Sequence, residues 1–166
     1  MPSKKNTKYL SLLVLFFTFS FGFSQNTSKF KVVLDAGHGG EDPGAIKNGI
    51  KEKDIVLDVV LKIGKILEKN NSIEVVYTRK TDVFIGLKER ANIANKAKAN
   101  LFISVHCNGV KSTAARGTET FVMGMSRTDT NLDIAKKENG VIFLEKDYNE
   151  KYKGFSQVFG SENVSA

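Results

Sequence analysis

Val32-Val33-Leu34-Asp35-Ala36-Gly37-His38-Gly39-Gly40 is a short apolar run that breaks abruptly into glycines around a histidine. The pattern predicts a buried strand ending in a loop that presents an imidazole. Glycine permits positive φ and close approach of another group, so a metal ion or substrate could reach His38 unobstructed. The chain has 2 histidines, and the other, His106, also follows an apolar run, Leu101-Phe102-Ile103-Ser104-Val105. Two histidines at two strand ends are the feature around which the remaining sequence is read.

Working outward, Phe30 to Leu34 is the first strand and the glycine-bearing loop runs to about Gly49. From Asp54 to Asn70-Asn71, Ile55, Val59, Ile63, Ile66 and Leu67 recur at helical spacing, with Val56 and Val60 beside them and lysines opposite. This predicts an amphipathic helix. Ile73 to Thr78 is β-branched and aromatic, a second strand. Thr81 or Asp82 is a candidate cap for a second helix over 86–98, with Leu87, Ala91, Ala94 and Ala97 inward. Leu101 to Val105 is the third strand, and Gly117 to Met123 alternates like a fourth. Strand, helix, strand, helix, strand implies βαβ units, hence an α/β fold with a mainly parallel twisted sheet flanked by helices. Such sheets place ligands outside the carboxyl ends of their strands, where both histidines fall.

The first residues stand apart from this domain. Lys4, Lys5 and Lys8 precede an apolar run from Leu10 to Phe23 with small residues Gly22 and Ser24 at its end. Residues 1–24 therefore read as a secretory signal peptide, and the run is shorter than the roughly 20 apolar residues that span a bilayer. Export to the periplasm or the extracellular space, with no stable membrane anchor after cleavage, is the expectation. Residues 25–29 form a short polar leader, 30–155 the folded domain and 156–166 an irregular tail. With 166 residues, 41% hydrophobic and 26% charged, the chain has ordinary globular composition for one domain. Losing residues 1–24, with Lys4, Lys5 and Lys8, lowers the net charge from +7 to +4. That mild basic bias suits anionic cell-surface polymers, while the absence of an arginine cluster or aromatic-interleaved basic stripe argues against nucleic acid. Cys107, the only cysteine, has no disulfide partner and reads as a small buried residue rather than a nucleophile or metal ligand.

A third donor should come from a loop or helix start near the two histidines. Glu52, at the entry to the first helix, is the preferred candidate; Glu41 competes, because His38-Gly39-Gly40-Glu41 has the H-x-x-E spacing of zinc carboxypeptidases. Two histidines and one carboxylate with a fourth position open make a catalytic zinc arrangement. Zinc so held acidifies water and polarises a carbonyl, which suits amide hydrolysis.

The combination of 33–45 (Val-Leu-Asp-Ala-Gly-His-Gly-Gly-Glu-Asp-Pro-Gly-Ala), Lys51-Glu52-Lys53-Asp54, Thr78-Arg79-Lys80-Thr81-Asp82, 87–92 (Leu-Lys-Glu-Arg-Ala-Asn), Ser104-Val105-His106-Cys107-Asn108 and Gly117-Thr118-Glu119-Thr120 resembles the zinc-dependent N-acetylmuramoyl-L-alanine amidases of the cell-wall hydrolase type. The similarity covers about Phe30 to Phe155. It implies an α/β fold, Zn2+ held by His38, Glu52 and His106, and cleavage of the amide between N-acetylmuramic acid and the first alanine of the peptidoglycan stem. Arg79 and Asp82 would support the site loops, Arg90 and Asn92 would contact the site from behind or cap, and Asn108 is the candidate to orient substrate. Glu119 is the one nearby acid suited to shuttle a proton, although alternation favours an exposed strand position.

Members of that family continue to a last strand whose glutamate, followed by glycine and phenylalanine, acts as general base; residues 156–166 show no such match, and Glu162 stands in the wrong context. The helical pattern over 131–143 and the charged 146–153 segment read as the start of an insertion. A sheet without its last helix and strand, open apolar surface and weakened amidase activity are the expectations. The alternatives are a non-catalytic zinc-containing peptidoglycan-binding module and another zinc hydrolase, such as a carboxypeptidase using Glu41.

Overall fold

The computed structural model describes residues 28–108, 114, 116–122 and 136–153. The segment 1–24, expected to be a signal peptide, and the expected tail at 156–166 lie outside the described residues, as do 131–135 of the third helical pattern. No helix among the described residues is long and apolar enough to cross a membrane.

The opening apolar run becomes β1, Phe30–Ala36, the central strand of a three-stranded parallel sheet. It lies between β4, Ile73–Tyr77, and β5, Leu101–Val105. Parallel strands need crossovers, and these are α1, Glu52–Leu67, between β1 and β4, and α2, Leu87–Ala97, between β4 and β5. Alternation along β1 sends Val32, Leu34 and Ala36 to one face, where they form the core with Val56 and Val60 of α1. Val33 and Asp35 face the other way, and Asp35 bonds to Arg90 of α2, so the two helices cover opposite faces. Residues 46–51 add a small hairpin that the sequence reading passed over, β2 (Ile46–Lys47) and β3 (Ile50–Lys51). Its signal is Asn48-Gly49, both at positive φ (53° and 78°), the preferred pair of a tight hairpin turn.

Five expectations are corrected. The first helix begins at Glu52, before Asp54, and its inward stripe is shifted: Glu52, Val56, Val60 and Gly64 are buried and Ile63 and Leu67 pack against the core as expected, whereas Ile55, Val59 and Ile66 are exposed (43%, 37% and 66%). The helix is apolar over more than one face, and directing Glu52 inward selects which face packs. In α2, Arg90 and Ala94 are buried and Ala91 is exposed. Neither Thr81 nor Asp82 caps α2. The first free N–H, on Leu87, donates to Glu145 Oε1 at 2.8 Å, and Asp82 instead accepts from Gly40 N and Lys53 Nζ. Residues 117–122 form no strand: alternation makes a strand only where a sheet edge accepts it, and Phe121 and Val122 are left exposed. The third helical pattern is helix at 136–139, passing into a 3-10 turn at Gly140–Leu144.

Candidate metal centre

β1 and β5 end level. Ala36 pairs with Val105, and the Gly37 N–H donates to the Val105 carbonyl at 3.1 Å. This register places the residues after both strands side by side, and the His38 and His106 rings meet edge-on with centroids 4.9 Å apart. Gly37 is required there, because a Cβ would enter the His106 ring. Gly44, at φ 64°, is confined likewise by the His38 ring and the stem of Glu52. His38 itself takes φ 59°, an uncommon conformation for a residue with a side chain.

Glu52 opens α1, which puts its carboxylate against both histidines. It is 3% exposed, and its Oε1 lies 3.1 Å from His38 Nε2 and 3.2 Å from His106 Nδ1. Backbone N–H groups hold it in place, Cys107 donating to Oε1 at 2.7 Å and Ala45 to Oε2 at 2.9 Å. On the far side of the His38 ring, Nδ1 sits 2.7 Å from Asp42 Oδ2, so a proton on Nδ1 leaves the Nε2 lone pair facing the group.

Glu138, which sequence reasoning did not single out, completes the cluster. Its Oε2 lies 2.9 Å from His106 Nδ1 and 3.3 Å from His38 Nε2. One donor atom from each of His38, Glu52, His106 and Glu138 falls within 4.8 Å of all the others. The sequence offered no signal for Glu138 beyond an acid in a helical pattern distant from both strand ends, and none for Asp42 beyond an acid four residues after His38. Glu41 is exposed and outside this group. Cys107 packs against the core, so only its N–H serves the cluster. Asn108 is exposed beside His106 and donates to Glu119 Oε2 at 3.0 Å, which occupies the acid expected to shuttle protons.

Without a cation, the four groups neutralise one another. Burial opposes charge on His38, but hydrogen bonds to Asp42, Glu138 and Glu52 outweigh it and push its pKa up to about 11. His106 is likewise penalised by burial yet carried to about 9 by Glu138 and Glu52. Burial would raise both carboxylates, but the histidines hold Glu52 well below the ordinary range and Glu138 at about 2. Negative potential that draws protons onto two imidazoles would equally draw a divalent cation. A cavity of about 520 Å³ adjoins the cluster, lined by His38, His106 and Glu138 on its polar side and by Leu87, Phe102 and Val141 on its apolar side.

The family profile described as N-acetylmuramoyl-L-alanine amidase matches residues 32–158. The chain belongs to that family. It is 53% identical over 90 residues to an endolysin of Bacillus phage SPP1, covering 54% of this chain and 32% of the relative. It is 38% identical over 123 residues to a probable N-acetylmuramoyl-L-alanine amidase AmiB of Haemophilus influenzae, covering 72% of this chain and 28% of the relative. Among solved structures, the catalytic domain of CwlV, an amidase from Bacillus (Paenibacillus) polymyxa var. colistinus, matches at 44% identity and a TM-score of 0.50, over 51% of this chain and 49% of that one. The chain thus spans about a third of those two relatives' length and half of the solved domain. Both the amidase family and the parallel α/β fold read from the motifs are borne out.

Proposed function

We propose that this amidase-family chain is a zinc-dependent N-acetylmuramoyl-L-alanine amidase that hydrolyses the amide between N-acetylmuramic acid and L-alanine in peptidoglycan. The observation that carries the reading is the convergence of two imidazole nitrogens and two carboxylate oxygens at the ends of β1 and β5. Their spacing fits zinc. Five of the six separations among these donor atoms run from 2.9 to 3.3 Å, close to the edge of about 3.3–3.4 Å of a tetrahedron with zinc–ligand bonds of about 2.0–2.1 Å, and the sixth, between Glu52 and Glu138, is within 4.8 Å. His38, Glu52 and His106 would hold the ion, with Glu138 at the fourth position.

Zinc bound there supplies Lewis-acid polarisation of an amide carbonyl and acidification of water. The protein's own contribution is placement. Asp42 orients the His38 ring, and the Cys107 and Ala45 N–H groups fix the Glu52 carboxylate. Ligand-orienting bonds of this kind are typical of metal centres. The adjoining cavity offers an apolar wall for the stem peptide, and Asn108, exposed beside His106, is assigned to orienting substrate. Peptidoglycan lies outside the cytoplasmic membrane, so the apolar leader at 1–24 and this substrate are mutually consistent.

A second reading, a zinc-containing peptidoglycan-binding module without hydrolysis, is favoured by Glu138, because four protein donors leave no open position. Incubating the full chain with purified peptidoglycan separates the two. Free stem peptide should appear, disappear with a chelator, return with zinc, and be absent in His106→Ala. Sedimentation with cell wall and no product at any zinc loading, in both the unsubstituted chain and Glu138→Ala, rejects the amidase reading.

A further inference from the structure

Two arginines lie behind the cluster, Arg79 just after β4 and Arg90 on α2, only 3% and 6% exposed. Arg79 donates from Nε to the Ala36 carbonyl (2.9 Å), from Nη2 to the Gly37 (2.7 Å) and Lys53 (2.8 Å) carbonyls, and from Nη1 to Thr81 (3.3 Å). Arg90 donates from Nη1 to Ala36 O (2.7 Å) and Asp35 Oδ1 (2.7 Å), from Nη2 to His38 O (2.8 Å), and from Nε to Ile85 O (2.8 Å). Together they take the carbonyls of Ala36, Gly37 and His38 in succession, as well as that of the residue following Glu52.

These contacts have a direction. The backbone leaves β1 at Ala36 and enters the left-handed region at His38, a conformation that a residue with a side chain keeps only where its surroundings impose it. Carbonyls leaving a sheet inside the protein need donors, and a planar guanidinium with five N–H groups can serve several at fixed angles. Asp35 of β1 anchors Arg90 and is itself held by the hydroxyls of Ser104 in β5 (2.6 Å) and of Thr78 (2.7 Å), the residue just after β4, which ties the clamp across the width of the sheet. A lysine at either position keeps the charge but lacks the fork.

We infer that Arg79 and Arg90 are positioning residues that set the metal affinity of the centre by locking the carbonyls flanking His38 and Glu52, so that both donors are aligned before an ion arrives. The inference rests on the zinc reading proposed above. It predicts that R79K and R90K each weaken cobalt or zinc binding by roughly 10- to 100-fold, the range for groups that orient metal ligands. Their cobalt absorption bands should also shift or weaken as the donor geometry loosens. A purely structural role would lower the thermal midpoint and leave both readouts unchanged. V60A, in the core away from the centre, is the matched control: it lowers the midpoint while cobalt affinity holds.

Linkage supplies a test that needs no folded variant. If the clamp raises metal affinity, metal must stabilise the clamp by the same factor. Hydrogen exchange at the Nε–H of Arg79 and Arg90 should therefore slow by roughly 10- to 100-fold when zinc is added to the unsubstituted chain, while exposed Arg116 is unaffected. A chain that takes up neither cobalt nor zinc overturns the metal reading and this inference together. Uptake with unchanged affinity in R79K and R90K, or with unchanged arginine exchange, overturns the inference alone.

Discussion

The Glu138 carboxylate lies 2.9 Å from Nδ1 of His106 and 3.3 Å from Nε2 of His38, a fourth donor beside His38, Glu52 and His106. Catalytic zinc sites keep one position for water or substrate, whereas sites closed by four protein donors are structural. Glu138 is also the donor whose element is not a strand end or helix packed on the sheet: it sits on the helical stretch at 136–139. On the amidase reading proposed above, turnover requires Glu138 to give way. If the withdrawn state is populated at about 1 to 10%, Glu138→Ala should raise stem-peptide release by roughly 10- to 100-fold while modestly weakening zinc affinity. Release assays paired with metal analysis check this, and a fall of about 10²- to 10⁴-fold would instead make Glu138 a general base.

The two glutamates that competed in the sequence are separated by burial. Glu52 is enclosed and bonded to both histidines, and Glu41 is exposed. Zinc retention after dialysis should therefore collapse in Glu52→Gln, by at least roughly 10- to 100-fold in affinity, and be unaltered in Glu41→Gln. Equal loss in the two variants would restore the alternative ligand set.

Stability of the metal-free chain should depend on pH in a defined sense. His38 and His106 have folded pKa values raised from 6.5 to about 11 and about 9, so the stability they lend is complete below 6.5 and is lost as pH rises through 9 and then 11. Glu52 and Glu138 have folded values lowered from 4.5, so their contribution is present above 4.5 and is lost on acidification. In chelator, the thermal midpoint should be highest between about pH 4.5 and 6.5 and fall toward pH 10. Zinc needs the same imidazoles deprotonated, so the gap between zinc-loaded and metal-free midpoints should widen as pH rises from 6 to 8. A gap that narrows would count against these four groups as the zinc donors.

Much of the centre was legible because a parallel sheet converts sequence order into position. His38 and His106 each follow a strand, β1 and β5 are neighbours in register, and Glu52 begins the helix between β1 and β4. Glu138 was not legible, since nothing local distinguishes it from other acids on a helical pattern; only the docking of 136–152, partly through Glu145 on the first N–H of α2, brings it in. Asp42 escaped for a related reason, because an i to i+4 pair carries meaning on a helix, whereas here a tight loop closed by the Gly39–Asp42 bridge creates the contact. The phase of α1 departs from the apolar spacing at Ile55, Val59 and Ile66 because hydrophobicity is spread around the helix while Glu52 faces the histidines.

That phase can be tested by substitution. Leu34 on β1 is fully buried in the cluster with Val56 and Val60, so Leu34→Ala should cost roughly 2 to 5 kcal/mol, the range for deleting a large aliphatic side chain from a core. At this chain length each kcal/mol lowers the thermal midpoint by about 2–4 °C, so the shift is easily measured. Ile66, by contrast, is 66% exposed although the apolar spacing places it inward. Ile66→Ala should change stability by no more than about 0.5 kcal/mol, and alanine's higher helix propensity offsets part of even that loss. Denaturant midpoints for the two variants side by side decide the matter. A large cost at Ile66 would mean that another surface covers this side of α1, and a small cost at Leu34 would mean that the sheet does not carry the core.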